Sequence, residues 1–334
     1  MSHLKMKGQI EALITTCIPL KTSPIELEAM ALKLAVWQMK NIPEYGRFAQ
    51  FSNPSSWADI PAVPTPLFTA IDFCISENPA VTYLTSGTST GTRGRHFMPT
   101  SEVADLAAKI WFNELIPSPP NRCLGLVPNP EHNPESSLGA MVKALFPNTD
   151  WAFSTSSGVN IEVVLEAINQ REEPLFIAST ALALSDTIEA IKNTVGASTH
   201  LPLGSIIMIT GGFKGRHRDV SEDDLVDATL ETFGDQVQIV HEYGMTELSS
   251  QLWDLGNGFI APPWLHVYTV SPATGLPCSG AGLLRFVDLA NYGSCIAIET
   301  LDLGIVEGRK VTLLGRLPGS KKRGCSLTAD ELTL

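Results

Sequence analysis

The sequence predicts an α/β fold in which helices and buried strands form layers, followed by a smaller β-rich subdomain. The first observation is that helical and strand patterns alternate between residues 136 and 241, as they do when helices cover a sheet. The second is a change near residue 265 to short β-like runs that are separated by turns. The third is that hydrophobic residues make up 44% of the 334 residues, which is enough for a large core.

The first elements lie around a Pro-rich segment. Ser23-Pro24-Ile25-Glu26 is a capping box with proline at the first helical position, and it predicts a helix that ends near residue 40. Residues 53–68 are Pro-rich and predict an irregular segment that leads to a strand over residues 80–84. A helix is predicted over residues 101–115. Six prolines between residues 117 and 134 then leave room only for a short apolar run over residues 123–127.

The alternating part of the chain follows, and then the β-rich part. Helices are predicted over residues 136–146, 161–170, 181–193 and 221–233. Strands are predicted between them over residues 175–178, 205–209 and 237–241. The β-like runs of the last part cover residues 265–270, 282–287, 294–298 and 309–314.

Charge and cysteine spacing exclude several classes of protein. The net charge of −12 argues against a general nucleic-acid binder, which would need clustered Lys and Arg. The apolar run near the N-terminus is too short and too interrupted for a signal peptide or a membrane span, so we expect a cytoplasmic protein. The cysteines show no C-x-x-C pair, so neither a zinc site nor a disulfide framework is expected. They are Cys17, Cys74, Cys123, Cys278, Cys295 and Cys325.

A stretch rich in hydroxyl groups and glycine follows the strand predicted over residues 80–84. It reads TSGTSTG over residues 85–91, and Arg93 and Arg95 come directly after it. Glycine lets backbone N–H groups turn toward an anion, hydroxyls donate further hydrogen bonds, and guanidinium groups neutralise phosphate charge. The stretch therefore predicts an anion site, and a triphosphate is its natural ligand.

Two other interpretations of this stretch stay open on the residues alone. A polar turn between two elements has the same composition. The stretch also fits the G-x-S-x-G nucleophile elbow, which would make Ser89 the nucleophile of an α/β-hydrolase, with Asp254 and His266 in the required order. The P-loop pattern is excluded, because no Gly-Lys-Ser/Thr follows at its spacing.

Several separated motifs decide between these interpretations. The loop at residues 85–91 resembles the Thr-Ser-Gly-Thr-Thr-Gly phosphate loop of the adenylate-forming (acyl-activating) enzyme superfamily, and HEYGMTE at residues 241–247 resembles its Tyr-Gly-x-Thr-Glu motif. Further similarity is to the acyl-protein synthetases, the branch typified by the fatty-acid-activating subunit of bacterial bioluminescence. It comprises LVP at residues 126–128 with SSL at 136–138, TGGFKGR at 210–216 and RGCS at 323–326.

The resemblance implies ATP and Mg²⁺ as cofactors and a role for each motif residue. The phosphate loop is expected to hold the β- and γ-phosphates, with Thr88 and Arg93 as the main contacts. Its other members are Thr85, Ser86, Gly87, Thr90 and Gly91. Adenine is expected to lie along Gly211 and Gly212, beside Tyr243 and Gly244. Of the remaining residues, Thr246 would contact the α-phosphate, Glu247 would bind Mg²⁺, Asp302 would hold the ribose hydroxyls, and Arg316 would reach ribose or phosphate.

The resemblance also implies a domain organisation. Residues 1–260 would form an α/β core that binds nucleotide and acyl group, like the large N-terminal domain of adenylate-forming enzymes. Residues 261–318 would form the β-rich subdomain. Residues 319–334 would be a short tail in place of the C-terminal swinging domain, which is expected to be absent together with its catalytic lysine. Lys321 or Lys322 could replace that lysine.

The function that the resemblance implies is activation of a carboxylic acid, most simply a fatty acid, as an acyl adenylate. Cys325 lies between basic neighbours, a setting that favours thiolate, and in the resembled branch a C-terminal cysteine accepts the acyl group. We therefore expect a protein thiol as acceptor, and an acyl reductase or carrier protein as partner. Alternatives are a CoA or amine ligase, the Ser89 hydrolase, and a nucleotide-binding interaction protein without turnover.

The histidines provide no metal-binding pattern. His96, His217, His241 and His266 are candidates for the pocket, but their spacing is not that of a metal site. No catalytic acid or base is assigned to them, because a carboxylate is already ionised at neutral pH and needs no base to attack phosphorus.

Overall fold

The computed structural model describes residues 1–86, 93–170, 172–196, 199–211 and 221–317. Two of its helices begin at capping boxes. Ser23 accepts the backbone N–H of Glu26, whose side chain accepts in return, and Ser221 and Asp224 repeat this arrangement. The helices are α1 His3–Cys17, α2 Pro24–Asn41, α3 Pro43–Phe48, α4 Glu102–Leu115, α5 Ser137–Leu145, α6 Ile161–Asn169, α7 Ala181–Val195 and α8 Glu222–Phe233. Short 3₁₀ helices cover Trp57–Asp59 and Thr65–Thr69.

The strands of the described residues vary from two-residue pairings to long members of the sheet, and they fall into an earlier and a later group along the chain. The first group is β1 Val63–Pro64, β2 Val81–Leu84, β3 Arg95–Met98, β4 Arg122–Leu126, β5 Thr149–Trp151, β6 Phe153–Ser154, β7 Gly158–Val159 and β8 Leu175–Thr180. The second group is β9 Ile206–Thr210, β10 Gln238–Tyr243, β11 Leu252–Asp254, β12 Phe259–Ile260, β13 Leu265–Val270, β14 Gly282–Asp288, β15 Ala297–Glu307 and β16 Lys310–Arg316.

One twelve-stranded sheet runs through the described residues. Its order is β13-β14-β15-β16-β12-β11-β10-β9-β8-β4-β5, and β1 pairs with β15 beside this path. The strands from β10 to β5 are parallel, whereas the pairings from β10 to β13 are antiparallel. The sheet is therefore continuous from the α/β part into the β-rich part. The division at residue 260 stays a prediction.

Two apolar clusters cover the two faces of the parallel strands. Met208 and Val240 belong to the larger cluster, which helices α1, α2, α4 and α5 complete. Ile209 and Ile239 belong to the smaller cluster, which α6, α7 and α8 complete. Side chains of a strand alternate between faces, so each buried strand supplies both clusters. The predicted α/β class with layered helices and buried strands is confirmed.

The hairpin β2–β3 forms a separate two-stranded sheet. Tyr83 pairs with His96 and Leu84 pairs with Arg95. The hairpin packs next to the 3₁₀ helix Thr65–Thr69, since the rings of Phe68 and His96 meet edge to face at 6.2 Å. The predicted strand over residues 80–84 is thus one arm of this hairpin.

The predicted strand over residues 294–298 is wrong in its bounds, because β15 begins at Ala297 and continues to Glu307. Gln38 of α2 holds the preceding residues in a turn. Its side-chain amide donates to the carbonyl of Asn291 at 2.7 Å, and its side-chain carbonyl accepts the N–H of Ile296 at 2.8 Å. These contacts join residues more than 250 positions apart, so no local pattern reports them.

Two negative expectations concern membranes and thiols. Within the described ranges, no helix has both the length and the apolar character needed to cross a membrane. The described cysteines are unpaired, and burial raises the pKa of Cys123 to about 12. That thiol is a small buried side chain in the core.

Candidate active site

A cavity of about 480 Å³ lies at the carboxyl ends of β9 and β10, the edge at which parallel sheets commonly bind ligands. Residues at the end of β2 and along the strand β16 also line it. Ser86 and Glu247, which are far apart in sequence, line this same cavity. The other predicted site residues that line it are Thr85, Gly211, Tyr243, Gly244, Thr246, Asp302 and Arg316.

The ends of the predicted phosphate loop are fixed by backbone and side-chain hydrogen bonds. The N–H of Thr85 donates to the carbonyl of Gly94 at 2.9 Å, and the N–H of Gly94 donates to Oγ1 of Thr85 at 2.8 Å. Ser86 Oγ is buried and has no hydrogen-bond partner among the described residues. A buried polar atom of this kind calls for a ligand or water. The central loop residues Gly87, Thr88, Ser89, Thr90 and Gly91 lie outside the described ranges.

Arg93 supports the base of this loop. Its Nε donates to the carbonyl of Thr85 at 2.7 Å, its Nη2 donates to the carbonyl of Leu84 at 3.3 Å, and its Nη1 lies 4.0 Å from Glu135. The guanidinium does not belong to the described lining of the cavity. In this structure it therefore holds the residues that precede the loop, and its contact with phosphate stays a prediction.

Asp302 contacts two other predicted nucleoside residues, Tyr243 and Arg316. The hydroxyl of Tyr243 donates to Oδ2 of Asp302 at 2.9 Å, and Nε of Arg316 lies 3.0 Å from Oδ1. Asp302 and Arg316 are register partners of β15 and β16, which brings them together. A carboxylate held in this way can accept hydrogen bonds from a diol.

Thr246 and Glu247 lie in the turn after β10 and are only 5% and 3% exposed. The amide of Asn291 donates to the carbonyl of Glu247 at 2.9 Å, and Ser249 Oγ donates to Oδ1 of Asn291 at 2.6 Å. Asp288 accepts the backbone N–H of Ser249 at 3.0 Å and the backbone N–H of Ser250 at 2.9 Å. Burial raises the pKa of Asp288 to about 6. This polar network holds the turn after β10 in place.

His96 fixes the same turn from the side of the hairpin. Its Nδ1 lies 2.6 Å from the carbonyl oxygen of Thr246, and because a carbonyl only accepts, this nitrogen carries the proton. Burial lowers the pKa of His96 to about 4, so the ring is neutral at pH 7. The hairpin that carries the phosphate loop is thereby connected to the turn that carries Glu247.

Glu242 is a buried carboxyl group at the end of β10. It is 6% exposed, and Thr210 Oγ1 of β9 donates to its Oε2 at 2.5 Å. Burial raises the pKa of Glu242 from 4.5 to about 7. A Cβ on Gly244 would lie 2.4 Å from its Oε1, so the motif needs glycine at this position.

The residues present fit a magnesium-bound triphosphate. The described residues hold no cluster of three or more His, Cys, Asp or Glu side chains that could bind a metal by themselves. Mg²⁺ usually binds one or two carboxylates together with the phosphates of its substrate, so the single carboxylate of Glu247 suffices. The buried hydroxyl of Ser86 on the same cavity adds an oxygen that a phosphate or its water can contact.

The hydrolase interpretation receives no geometric support. Asp254 Oδ1 accepts three backbone N–H groups of its own turn, from residues 256, 257 and 258. His266 is stacked against Trp57 at 4.6 Å, and no contact in the described part of the chain joins it to Asp254. Ser89 lies outside the described residues.

Sequence reasoning identified the motif residues but missed those that support them. Glu242 is within the HEYGMTE motif, yet only the strand register reveals that it pairs with Thr210. Asp288 and Asn291 lie in no motif. The available signal was an acidic and an amide side chain within an otherwise apolar stretch, which suggests buried polar groups with partners.

The fold is that of the large N-terminal domain of adenylate-forming enzymes. A crystal structure of 2-hydroxyisobutyryl-CoA ligase in an open conformation, in complex with 2-HIB-AMP and CoA, aligns over 87% of this chain and 70% of its own, with a TM-score of 0.62 and 12% identity. The same ligase in its thioesterification state aligns over 88% and 68%, with a TM-score of 0.62 and 13% identity.

A third solved structure has the same fold over a shorter alignment. The long-chain-fatty-acid-CoA ligase FadD1 from Archaeoglobus fulgidus aligns over 72% of this chain and 52% of its own, with a TM-score of 0.51 and 12% identity. No protein-family model and no curated protein matches the sequence. At identities of 12% and 13%, the similarity to these structures shows a shared fold.

Proposed function

We propose that the protein activates a carboxylic acid with ATP, giving an acyl adenylate and pyrophosphate. The observation that carries the proposal is that Ser86, Glu247 and Asp302 line one cavity. These residues come from the phosphate-loop motif, the Tyr-Gly-x-Thr-Glu motif and the predicted ribose site. The ligase of the same fold is described in complex with 2-HIB-AMP and CoA, which is the kind of intermediate proposed.

In the proposed reaction, a carboxylate oxygen of the acid attacks the α-phosphorus of ATP. The new O–P bond forms as the bond from that phosphorus to the pyrophosphate oxygen breaks, and pyrophosphate leaves with the electron pair. The protein contributes positioning and charge neutralisation. The Ser86 end of the loop and Thr246 would face the phosphates, the Tyr243–Asp302–Arg316 group would hold the nucleoside, and Glu247 would hold Mg²⁺, which would neutralise phosphate charge.

For the second half-reaction we propose transfer of the acyl group to a protein thiol, with Cys325 as the first acceptor. The thiolate sulfur attacks the acyl carbonyl carbon, the C–S bond forms, and the C–O bond to AMP breaks. This step rests on the sequence resemblance alone, as do the fatty acid, the reductase or carrier partner, and the domain division at residues 260 and 318. Cys325, Lys321 and Lys322 lie outside the described residues. CoA or an amine is the alternative acceptor, and the CoA complex of the similar ligase favours CoA.

Acid-dependent exchange of labelled pyrophosphate into ATP tests the first half-reaction. We expect exchange that requires ATP, Mg²⁺ and an acid, and a loss of at least about a hundredfold in Glu247→Gln, since one charged group is removed from the phosphate site. Exposed Glu114→Gln is the matched control and should keep the wild-type rate. Exchange that is absent with every acid would exclude the function.

Labelling tests the acceptor separately. With ATP and a labelled fatty acid, we expect protein-bound label that hydroxylamine releases, and its loss in Cys325→Ser while pyrophosphate exchange continues. Undiminished labelling of Cys325→Ser would rule out Cys325 as acceptor. Label that appears on added CoA would favour the alternative.

A further inference from the structure

Gln38 is a buried amide side chain on α2 that belongs to no motif and is not part of the described lining of the cavity. Its neighbours Leu34 and Ala35 on the same helix are apolar, and all three residues are 0% exposed. An amide in such a place is unfavourable unless its donor and acceptor groups are hydrogen-bonded. Its presence in the core therefore depends on the groups that it contacts.

The contacts of Gln38 are three backbone groups in the turn between β14 and β15. Its Nε2 donates to the carbonyl of Asn291 at 2.7 Å and to the carbonyl of Tyr292 at 3.1 Å. Its Oε1 accepts the N–H of Ile296 at 2.8 Å. The amide uses both its donor and its acceptor groups, so this one side chain holds the turn at both ends.

Asn291 continues these contacts to the turn that follows β10. Its Nδ2 donates to the carbonyl of Glu247 at 2.9 Å and to the carbonyl of Cys295 at 3.0 Å. Its Oδ1 accepts the hydroxyl of Ser249 at 2.6 Å. Gln38 thus holds the backbone of Asn291, and the side chain of Asn291 holds the backbone of Glu247. Two hydrogen bonds in series connect α2 to the residue that would bind Mg²⁺.

The requirements of Mg²⁺ make the position of the Glu247 carboxylate important. This ion needs near-ideal octahedral geometry at short distances, so a small displacement of one ligand weakens its binding. Groups that orient a metal ligand commonly contribute about ten- to a hundredfold to metal affinity. ATP without the metal has no such requirement at Glu247. A displaced turn should therefore reduce the effect of Mg²⁺ more than it reduces nucleotide binding itself.

We propose that Gln38 is a positioning residue for the metal, and that through Asn291 it sets the place of the Glu247 carboxylate when Mg·ATP binds. The inference rests on the proposed function, in which Glu247 holds Mg²⁺. Gln38 itself contacts neither nucleotide nor metal. If its role were only to fill the core, an apolar side chain of similar size would serve as well, whereas positioning requires the amide.

Calorimetric titration of the full chain with ATP, with and without Mg²⁺, tests this inference. Gln38→Met keeps a side chain of similar length but removes the amide. We expect it to reduce the gain in affinity that Mg²⁺ provides by about tenfold, while the affinity for ATP alone stays within about twofold of the wild type. Asn291→Ala should give a similar loss, and the double variant no greater loss, because the two bonds act in series. Ile191→Val, in the smaller apolar cluster, is the control for reduced stability and should keep the full magnesium effect.

The outcomes separate this inference from the function on which it rests. A full magnesium effect in Gln38→Met, or an equal loss of affinity with and without Mg²⁺, overturns the positioning role while acid activation stands. Losses that add in the double variant overturn the path through Asn291. If Mg²⁺ gives the wild type no gain in affinity, the metal role of Glu247 fails and the inference fails with it. If Gln38→Met does not fold, Gln38→Asn, which keeps the amide on a side chain one carbon shorter, gives the same readout.

Discussion

At the scale of single residues, burial shifts the pKa values of two ionisable groups near the turn after β10 in opposite directions. Glu242 has its pKa raised to about 7, and His96 has its pKa lowered to about 4. In both cases the neutral form is favoured, because charge is costly away from water. The site thus holds a neutral ring and a carboxyl group that is partly neutral near pH 7.

The raised pKa of Glu242 predicts how the free energy of unfolding depends on pH. Its folded value of about 7 exceeds its ordinary value of 4.5, so the folded state binds this proton more tightly. The resulting stability is fully present below pH 4.5 and is lost as the pH rises through 7. In Glu242→Gln the loss in free energy of unfolding between pH 5 and pH 8 should be smaller than in the wild type by roughly 2 to 3 kcal/mol.

Urea unfolding at the two pH values measures this difference. Glu114→Gln is the control for removal of an exposed carboxylate and should follow the wild type. The pKa of Asp288 is also raised, to about 6, so this group likewise makes the free energy of unfolding fall as the pH rises, but at lower pH. Both variants keep Asp288, so its contribution is the same in each. Parallel wild-type and Glu242→Gln profiles would mean that Glu242 titrates as an exposed group.

At the scale of elements, the hairpin β2–β3 and the turn after β10 act as one support for the site. The hydrogen bond from His96 to the Thr246 carbonyl joins them, while Asn291 holds the following carbonyl. Neither contact is formed within a single element. The position of the Glu247 turn relative to the hairpin therefore depends on packing between β3 and the sheet.

This connection predicts contrasting effects of two substitutions at His96. Phenylalanine keeps much of the ring volume but leaves the buried Thr246 carbonyl without its donor, so Mg·ATP should bind about tenfold more weakly. Asparagine places an amide near the position of Nδ1 and should retain most of the affinity. Calorimetric titration with Mg·ATP measures both, and exposed His132→Phe is the control. Equal affinities for His96→Phe and His96→Asn would contradict a role for the hydrogen bond.

Local patterns predicted the elements well where caps or alternation mark their ends. The helix α2 was predicted from its capping box, and β13 has the predicted bounds over residues 265–270. The helix α1 was not predicted, because its cap is a lone Ser2 and its apolar face is completed by tertiary packing, which includes α4. The start of β15 depends on Gln38, which no local pattern reports.

At the scale of the whole molecule, the continuous sheet brings two halves of the chain to one cavity. The parallel strand β10 ends at Tyr243, and β15 and β16 of the antiparallel half supply Asp302 and Arg316. The pairing of β12 with β16 joins the halves. The motifs predicted this convergence through the family resemblance. The supporting residues Glu242, Asp288 and Asn291 could not be predicted, since their roles arise from tertiary contacts.

The central claim is that Glu247 and Asp302 bind different parts of one magnesium-bound nucleotide. Calorimetric titration with ATP, with and without Mg²⁺, tests it most directly in the wild type, Glu247→Gln and Asp302→Asn. The account predicts that Glu247→Gln loses the gain in affinity that Mg²⁺ provides, and that Asp302→Asn weakens binding by about tenfold under both conditions. Wild-type affinity in both variants, or a full magnesium effect in Glu247→Gln, would contradict the claim.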